Sequence, residues 1–311
     1  MRAGQRVGAA GLSRPLPRHA VRVRDQWVGV AFIAPTLFVL GALLGYPIFY
    51  NLYISLFQKH AFLPIETYVG LQNYHELAAD HQFWASLLNA TVYTVGTVAL
   101  QIALGVGSAL VLHESFAGRA FARASVLFPY VVPTIVVVIL WKWMLHESYG
   151  ILNHLLVASG VVSESVAWLS PRYIMLALIL VSVWQFFPFV TLSLLARLQT
   201  IPPELYEAAK VDGAAQWRRF WHVTLPQLRQ VLFVVVLLRG IFMFTKFDTV
   251  WLMAGEEAVG RDVQTLPVLV YTRTFGTLQT GSGASIAVVM LVLQIATALV
   301  YLRMFRRDEA L

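Results

Sequence analysis

The 311-residue sequence contains no cysteine, so disulfide bonds, thiolate metal sites and cysteine nucleophiles are excluded. It also lacks a G-x-x-x-x-G-K-S/T phosphate loop, a G-x-G-x-x-G turn after a strand and an H-E-x-x-H zinc motif. No serine lies in a nucleophile elbow. The residues give no support for an active site, and we expect this chain to bind no cofactor and to be no enzyme.

Charged residues are scarce as well: they make up 13% of the chain, whereas hydrophobic residues make up 58%. A soluble domain of this size is about 45–50% apolar and about a quarter charged. The excess predicts an all-α membrane protein, because lipid cannot hydrogen-bond the backbone and a spanning segment must satisfy its own N–H and C=O groups. The net charge of +7 does not by itself indicate nucleic acid, and we expect the lipid bilayer and no nucleic acid as a partner.

Six stretches reach the length of about 20 mostly apolar residues that a membrane span requires. They are 28–55, 86–111, 122–145, 173–196, 229–251 and 284–304. Basic residues concentrate in the N-terminal tail, the second and fourth connections and the C-terminus, which predicts that both termini are cytoplasmic. We therefore expect a basic cytoplasmic tail over 1–26 and a six-span domain over 27–311, with a core at about 85–304.

The fourth connection, 202–226, is unusually polar for this chain and is predicted to be cytoplasmic. Pro202 and Pro203 favour a helix start, since proline fits the first turn without losing a bonded N–H. Gly213 ends the predicted helix or lets another backbone approach closely. A second short helix follows, over 217–223. From composition alone, the segment suits either a groove on another protein or the bilayer surface.

Residues Glu207-Ala208-Ala209, then Gly213, then Val223-Thr224-Leu225-Pro226 follow a longer pattern. This pattern resembles the EAA loop of bacterial ABC-importer permeases, E-A-A, three residues, G, nine residues, I-x-L-P, with Val in place of Ile. In that family the loop is the coupling helix, which sits in a cleft of a separate ATP-hydrolysing subunit.

The resemblance implies roles for these residues. Glu207 would bond the ATPase surface, Ala208 and Ala209 would permit close packing, and Gly213 would make the bend. Asp212 and Pro226 belong to the same coupling loop. The absence of a phosphate loop is then explained, because ATP and Mg would be bound by the partner chain.

Three further stretches resemble the sugar-permease branch, the maltose and glycerol-3-phosphate type. They are "APTLFVLGALLGYPIFYNLYISLF" at 34–57, "YVGLQNYHEL" at 68–77 and "FDTVWLMAG" at 247–255. The third departs from the branch pattern, because Met253 replaces Thr and Glu256-Glu257 replace Gly-Pro. The departure falls in an outer loop on which a binding protein would dock.

The resemblance implies a type I ABC-importer permease of the bacterial plasma (inner) membrane. The expected partners are an ATPase dimer, a second permease in a heterodimer, and an extracytoplasmic binding protein that delivers a sugar or sugar-like solute. The alternative is a gradient-driven secondary transporter. Paired inverted repeats and acidic residues at mid-span would favour that alternative, and the sequence shows neither.

Charged side chains within a membrane are costly and indicate function. Arg239 is predicted near the middle of the fifth span, with Lys246 two turns away on the same face and Asp248 near the outer end. These three could line a solute cavity, or they could form an internal ion pair or extend to the interface. Trp184, Gln185, Phe186 and Phe187 precede Pro188, where we expect a kink in the fourth span. They could stack on a sugar or simply pack.

Overall fold

The computed structural model describes residues 21–63, 66–258 and 263–309. Helices α1 (Val21–Leu40) and α2 (Tyr46–Ile54) are joined by a π-helical turn at Gly41–Gly45. Together they contain the first candidate span, Val30–Ile54. Most of the predicted basic tail, residues 1–20, lies outside the described residues, and the domain boundary at residue 27 stays a prediction.

The chain from Asn51 onward forms a compact unit of its own. Its strands are β1 (Phe57–Lys59) and β2 (Glu66–Tyr68), which pair antiparallel. Its helices are α3 (Gln72–Ala79), α4 (His81–His113), α5 (Arg119–Val131), α6 (Thr134–Met144), α7 (Ile151–Ala158), α8 (Ile174–Leu198), α9 (Pro203–Val211), α10 (Gln216–Arg219), α11 (Leu225–Phe244), α12 (Asp248–Ala258), α13 (Leu266–Tyr271) and α14 (Thr280–Glu309). Two π-helical turns, Phe220–Thr224 and Thr272–Gly276, precede α11 and follow α13.

Among the described residues, five helical segments are long and apolar enough to cross a membrane, which confirms five of the predicted spans in all but their ends. They are Val30–Ile54, His81–His113, Ile174–Leu198, Gln216–Phe244 and Thr280–Phe305. The prediction of a single helix over 122–145 is wrong, because α5 and α6 are bent by 99° at Val132-Pro133. Pro133 has no N–H to donate, and its ring keeps Val132 extended (φ −71°, ψ 129°). Counted as one broken span, this pair completes six.

Helix α8 is the most buried of the candidate spans. It is apolar around its whole circumference, which is typical of a helix inside a bundle. Its first half packs in a core with Tyr93 of α4, and its second half packs in another core with Leu112 of α4 and Leu228 of α11. Helix α8 continues across Pro188 from Ile174 to Leu198, and the kink expected there stays a prediction. Helices α4 and α8 therefore run parallel and form the centre of the unit.

The two ends of this bundle differ. We call the end that carries β1, β2 and α3 the hairpin face, and the end that carries α9 and α10 the loop face. At the hairpin face, the Asn73 amide donates to the carbonyls of Ser55 (2.7 Å) and Phe57 (3.0 Å). A side chain at Gly281, at the start of α14, would overlap the Phe57 carbonyl. These contacts explain why the stretch 68–77 carries an asparagine and why α14 opens on small residues.

Candidate functional site

Helix α9 ends in a Schellman motif around Gly213 at the loop face. Gly213 has a φ of +72°, which favours glycine over any residue with a Cβ. Its N–H donates to the Lys210 carbonyl (3.0 Å), and the Ala214 N–H donates to the Ala209 carbonyl (2.9 Å). A Cβ at position 213 would meet no atom within 4 Å. Glycine is therefore required here by backbone conformation rather than by a close neighbour in this chain.

The two sides of α9 have different surroundings. Glu207 and Ala208 are exposed, and Val211 is 88% exposed. On the opposite side, Tyr206 packs against the core that contains Leu228, and its hydroxyl hydrogen-bonds the Thr224 hydroxyl (3.2 Å). The helix is thus fixed to the bundle along one side and is open along the side that carries Glu207 and Ala208.

The other candidate residues of the loop differ in their exposure. Ala209 is half-buried, whereas Asp212 and Pro226 are exposed. The predicted short helix 217–223 is not separate: α10, the π-helical turn and α11 form one helical segment, Gln216–Phe244. The π turn directly precedes Pro226, whose missing N–H and bulky ring would otherwise disturb a regular α-helix.

A pair of hydrogen bonds joins α8 to the start of the next span at the loop face. Arg197, in the last turn of α8, donates from Nε to the Gln227 carbonyl and from Nη2 to the Gln227 Oε1, both at 3.0 Å. Helices α8, α9 and α11 are therefore mechanically connected where α9 meets the membrane spans.

A second candidate site surrounds Arg239 in the middle of α11. This side chain is 4% exposed, and its Nε donates to the Gln101 Oε1 (2.9 Å). Its Nη2 contacts the sulfur of Met243 (3.6 Å). Gln101 is oriented by its own amide, which donates to the Ser182 carbonyl of α8 (3.1 Å). Among the described residues, no carboxylate pairs with this guanidinium.

Aromatic rings take the place of a carboxylate around Arg239. Its Cζ lies 4.8 Å from the centre of the Phe186 ring and 5.8 Å from that of Phe189. Tyr130 stands edge-on to Phe186, with ring centres 6.3 Å apart. A desolvated cation over a ring face is stabilised by about 2 kcal/mol. The buried charge therefore sits in a cage of ring faces and one amide.

Lys246 does not share a helix face with Arg239 as predicted, because α11 ends at Phe244. Tertiary structure nevertheless brings the two together: the Lys246 Nζ lies 4.6 Å from the same Phe186 ring. Lys246 also forms an ion pair with Asp248 (2.9 Å). For these two residues the structure shows the internal pair that the sequence left open as an alternative.

The three candidate residues on α8 have different surroundings. Trp184 packs edge-on against Trp141, with ring centres 5.6 Å apart. Gln185 is buried and donates to the Val132 carbonyl (3.3 Å) and the Thr134 hydroxyl (3.2 Å), so it holds the bend between α5 and α6. Phe187 is half-buried.

Sequence reasoning named Phe186 but missed two other partners of Arg239, Gln101 and Phe189. Gln101 was detectable as a polar residue in the middle of an apolar span. Phe189 was detectable as the helical neighbour of Phe186, three residues along. Among residues 21–63, 66–258 and 263–309, no group of three His, Asp or Glu is placed to hold a metal ion.

The family comparison matches two thirds of the chain. A family model described as "Binding-protein-dependent transport system inner membrane component" matches residues 101–307, which include α8, α9 and α11.

Individual relatives match over almost the whole length. The trehalose/maltose transport system permease protein MalF of Thermococcus litoralis is 36% identical over 291 residues, covering 93% of this chain and 97% of the relative. The sulfoquinovosyl glycerol transport system permease protein SmoG of Agrobacterium fabrum is 34% identical over 288 residues, covering 92% of both. Among solved structures, one chain of a bacterial alginate ABC transporter in complex with an alginate pentasaccharide-bound periplasmic protein superposes with a TM-score of 0.81. That chain is 20% identical, and the match covers 92% of this chain and 96% of the other.

Proposed function

This chain belongs to the family of binding-protein-dependent transport system inner membrane components, and we propose that its α9 couples the membrane spans to a separate ATPase. The chain is an inner-membrane permease subunit of an ABC importer, not an enzyme. ATP and Mg then belong to the partner, and the gradient-driven alternative is not favoured. Since the relatives are named for trehalose, maltose and sulfoquinovosyl glycerol transport, the imported solute is a sugar or a sugar conjugate.

One observation carries the coupling role: α9 is open on the side of Glu207 and Ala208 and fixed on the side of Tyr206. An exposed side with a residue as small as Ala208 allows close approach of a partner surface. The fixed side passes any displacement of α9 to Thr224, which lies just before α11. A push on α9 therefore reaches the spans without a flexible linker.

The mechanism follows from this connection. A loaded extracytoplasmic binding protein docks at the hairpin face, and ATP binding closes the ATPase dimer beneath the loop face. Closure moves α9 through its exposed side, and α11 moves with it. A second permease, in a heterodimer, completes the pathway, and both termini lie in the cytoplasm with the loop face.

The cage around Arg239 is our candidate for the solute path. Apart from the groups bonded to Gln101 and Met243, the guanidinium N–H groups have no hydrogen-bond partner among the described residues. Phe186, Phe189 and Tyr130 offer ring faces to the apolar faces of a sugar. Arg239, Lys246 and Asp248 offer groups for its hydroxyls. Trp184, Gln185 and Phe187 are weaker candidates, because Trp184 packs on Trp141 and Gln185 holds the bend at Val132.

Glu207→Lys should weaken the ATPase complex at least tenfold, because a charge-assisted hydrogen bond stabilises by about 1.5–3 kcal/mol and the new charge opposes its former partner. The measurement is the amount of ATPase that co-purifies with the tagged chain from native membranes. Gln199→Lys is the matched control: Gln199 is also exposed at the loop face, directly after α8, but lies outside α9.

The control should retain the ATPase at the level of the natural chain. Equal retention by Glu207→Lys and Gln199→Lys would contradict docking through α9.

A further inference from the structure

A cavity of about 860 Å³ opens at the loop face, between the last turn of α4 and the α9–α10 loop. Its polar wall is formed by His113, Glu114, Lys210 and Arg219. Neither the proposed docking of the ATPase on α9 nor the proposed solute path at Arg239 involves this cavity.

Two residues of the polar wall, His113 and Arg219, each carry a buried nitrogen that lacks a partner. The Nδ1 of His113 and the Nε of Arg219 are buried and have no hydrogen-bond partner among the described residues. Nearly all buried polar atoms in proteins are hydrogen-bonded, so such atoms on one wall need an explanation. Both can donate, and Arg219 and Lys210 are cationic, against one carboxylate at Glu114. The wall therefore suits a ligand that is anionic and rich in acceptors.

The remaining wall is apolar and partly exposed. Trp217 is 71% exposed and Val111 is 61% exposed, and both line the cavity. The Trp217 ring stacks on Phe220, with ring centres 5.9 Å apart. This wall lies where the α4 span ends and the Gln216–Phe244 span begins, which is the depth of the lipid headgroups. A free anion would leave these apolar groups uncovered, whereas an amphipathic ligand would cover both walls.

We propose that this cavity binds the headgroup of an anionic phospholipid, with the phosphate at Arg219, Lys210 and His113 and the glycerol region against Trp217. Lys210 belongs to α9 and Arg219 to α10, whereas His113 belongs to α4. A bound lipid therefore bridges the end of α4 to the loop and fixes the orientation of α9. The site does not depend on which protein docks on the exposed side of α9.

The test is a binding titration of the delipidated full chain in detergent with short-chain phosphatidylglycerol. Arg219→Gln should raise the Kd at least tenfold, because it removes a charged group from the phosphate. Arg218→Gln is the matched control, since Arg218 is adjacent and exposed but does not line the cavity. It should leave the Kd within twofold of the natural chain. Lys210→Gln replaces an exposed side chain of the same wall. Its Kd is a second measurement of the phosphate site that does not depend on whether the Arg219 variant folds.

Phosphatidylcholine and inorganic phosphate serve as the two comparison ligands. The proposal expects both to bind at least tenfold more weakly than phosphatidylglycerol. Equal binding of phosphatidylcholine, or equal losses for Arg218→Gln and Arg219→Gln, would overturn the headgroup site. Phosphate binding as tight as that of the lipid would assign the cavity to a free anion instead.

Discussion

Gly213→Val is expected to reduce solute import at least tenfold while the chain still inserts and folds. A β-branched residue at a φ of +72° is strained by about 1–2 kcal/mol or more, which shifts the loop away from its native bend. The Schellman bonds from Gly213 and Ala214 would then be lost, and α9 would no longer be fixed relative to α11. The measurement is uptake of the solute by cells that carry the variant at natural abundance.

The chain offers a matched control for this prediction at Gly160. Gly160 also has a positive φ (+71°) and open space around it, and it follows α7 in the same motif. Its N–H donates to the Val157 carbonyl (3.0 Å), and the Val161 N–H donates to the Leu156 carbonyl (3.1 Å). Gly160→Val therefore imposes the same local strain away from the loop face. This variant should retain most of the solute import activity of the natural chain. Equal losses for both variants would show that strain alone, and not coupling, lowers import.

Gln101→Leu is expected to destabilise the protein by about 2–3 kcal/mol, because it leaves the Nε of Arg239 buried without its acceptor. Arg239→Met removes the charge together with its need for a partner, so it should cost less. The double variant should recover most of the stability lost by Gln101→Leu, which a double-mutant cycle measures directly. Unfolding in mild detergent by a chemical denaturant gives the free energies.

Gln294→Leu is the control for loss of a glutamine amide from a span. Gln294 donates only a long bond, 3.4 Å, to the Ile241 carbonyl, so its replacement should cost less than about 1 kcal/mol.

Measuring solute import separates a structural role of Arg239 from a role in the solute path. Arg239→Met should keep the fold and lower solute uptake at least tenfold. Unchanged uptake would make Arg239 a structural residue and remove the cage from the solute path.

The shape of the loop around α9 was predictable because its signal is local. Pro203 starts α9, Gly213 ends it, and both requirements act over one or two helical turns. The Arg239 cage was not predictable in the same way, since Gln101 and Arg239 are 138 residues apart and meet only through packing of α4 on α11. Lys246 was misplaced because the predicted fifth span extended to residue 251, whereas α11 stops at Phe244. Pro133 did signal the break in the third span, but the apolar run across it is uninterrupted.

The most direct measurement of docking on α9 uses the absence of natural cysteine, because Ala208→Cys introduces the only thiol of the chain. Inside-out vesicles carrying this variant would be treated with a membrane-impermeant maleimide, before and after the ATPase is stripped. The account predicts protection while the ATPase is bound and full labelling once it is removed. Val161→Cys, at a 71% exposed position away from the loop face, is the control. It should stay unlabelled both with and without the ATPase until the vesicles are opened. Equal labelling of Ala208→Cys with and without the ATPase would contradict the coupling role of α9.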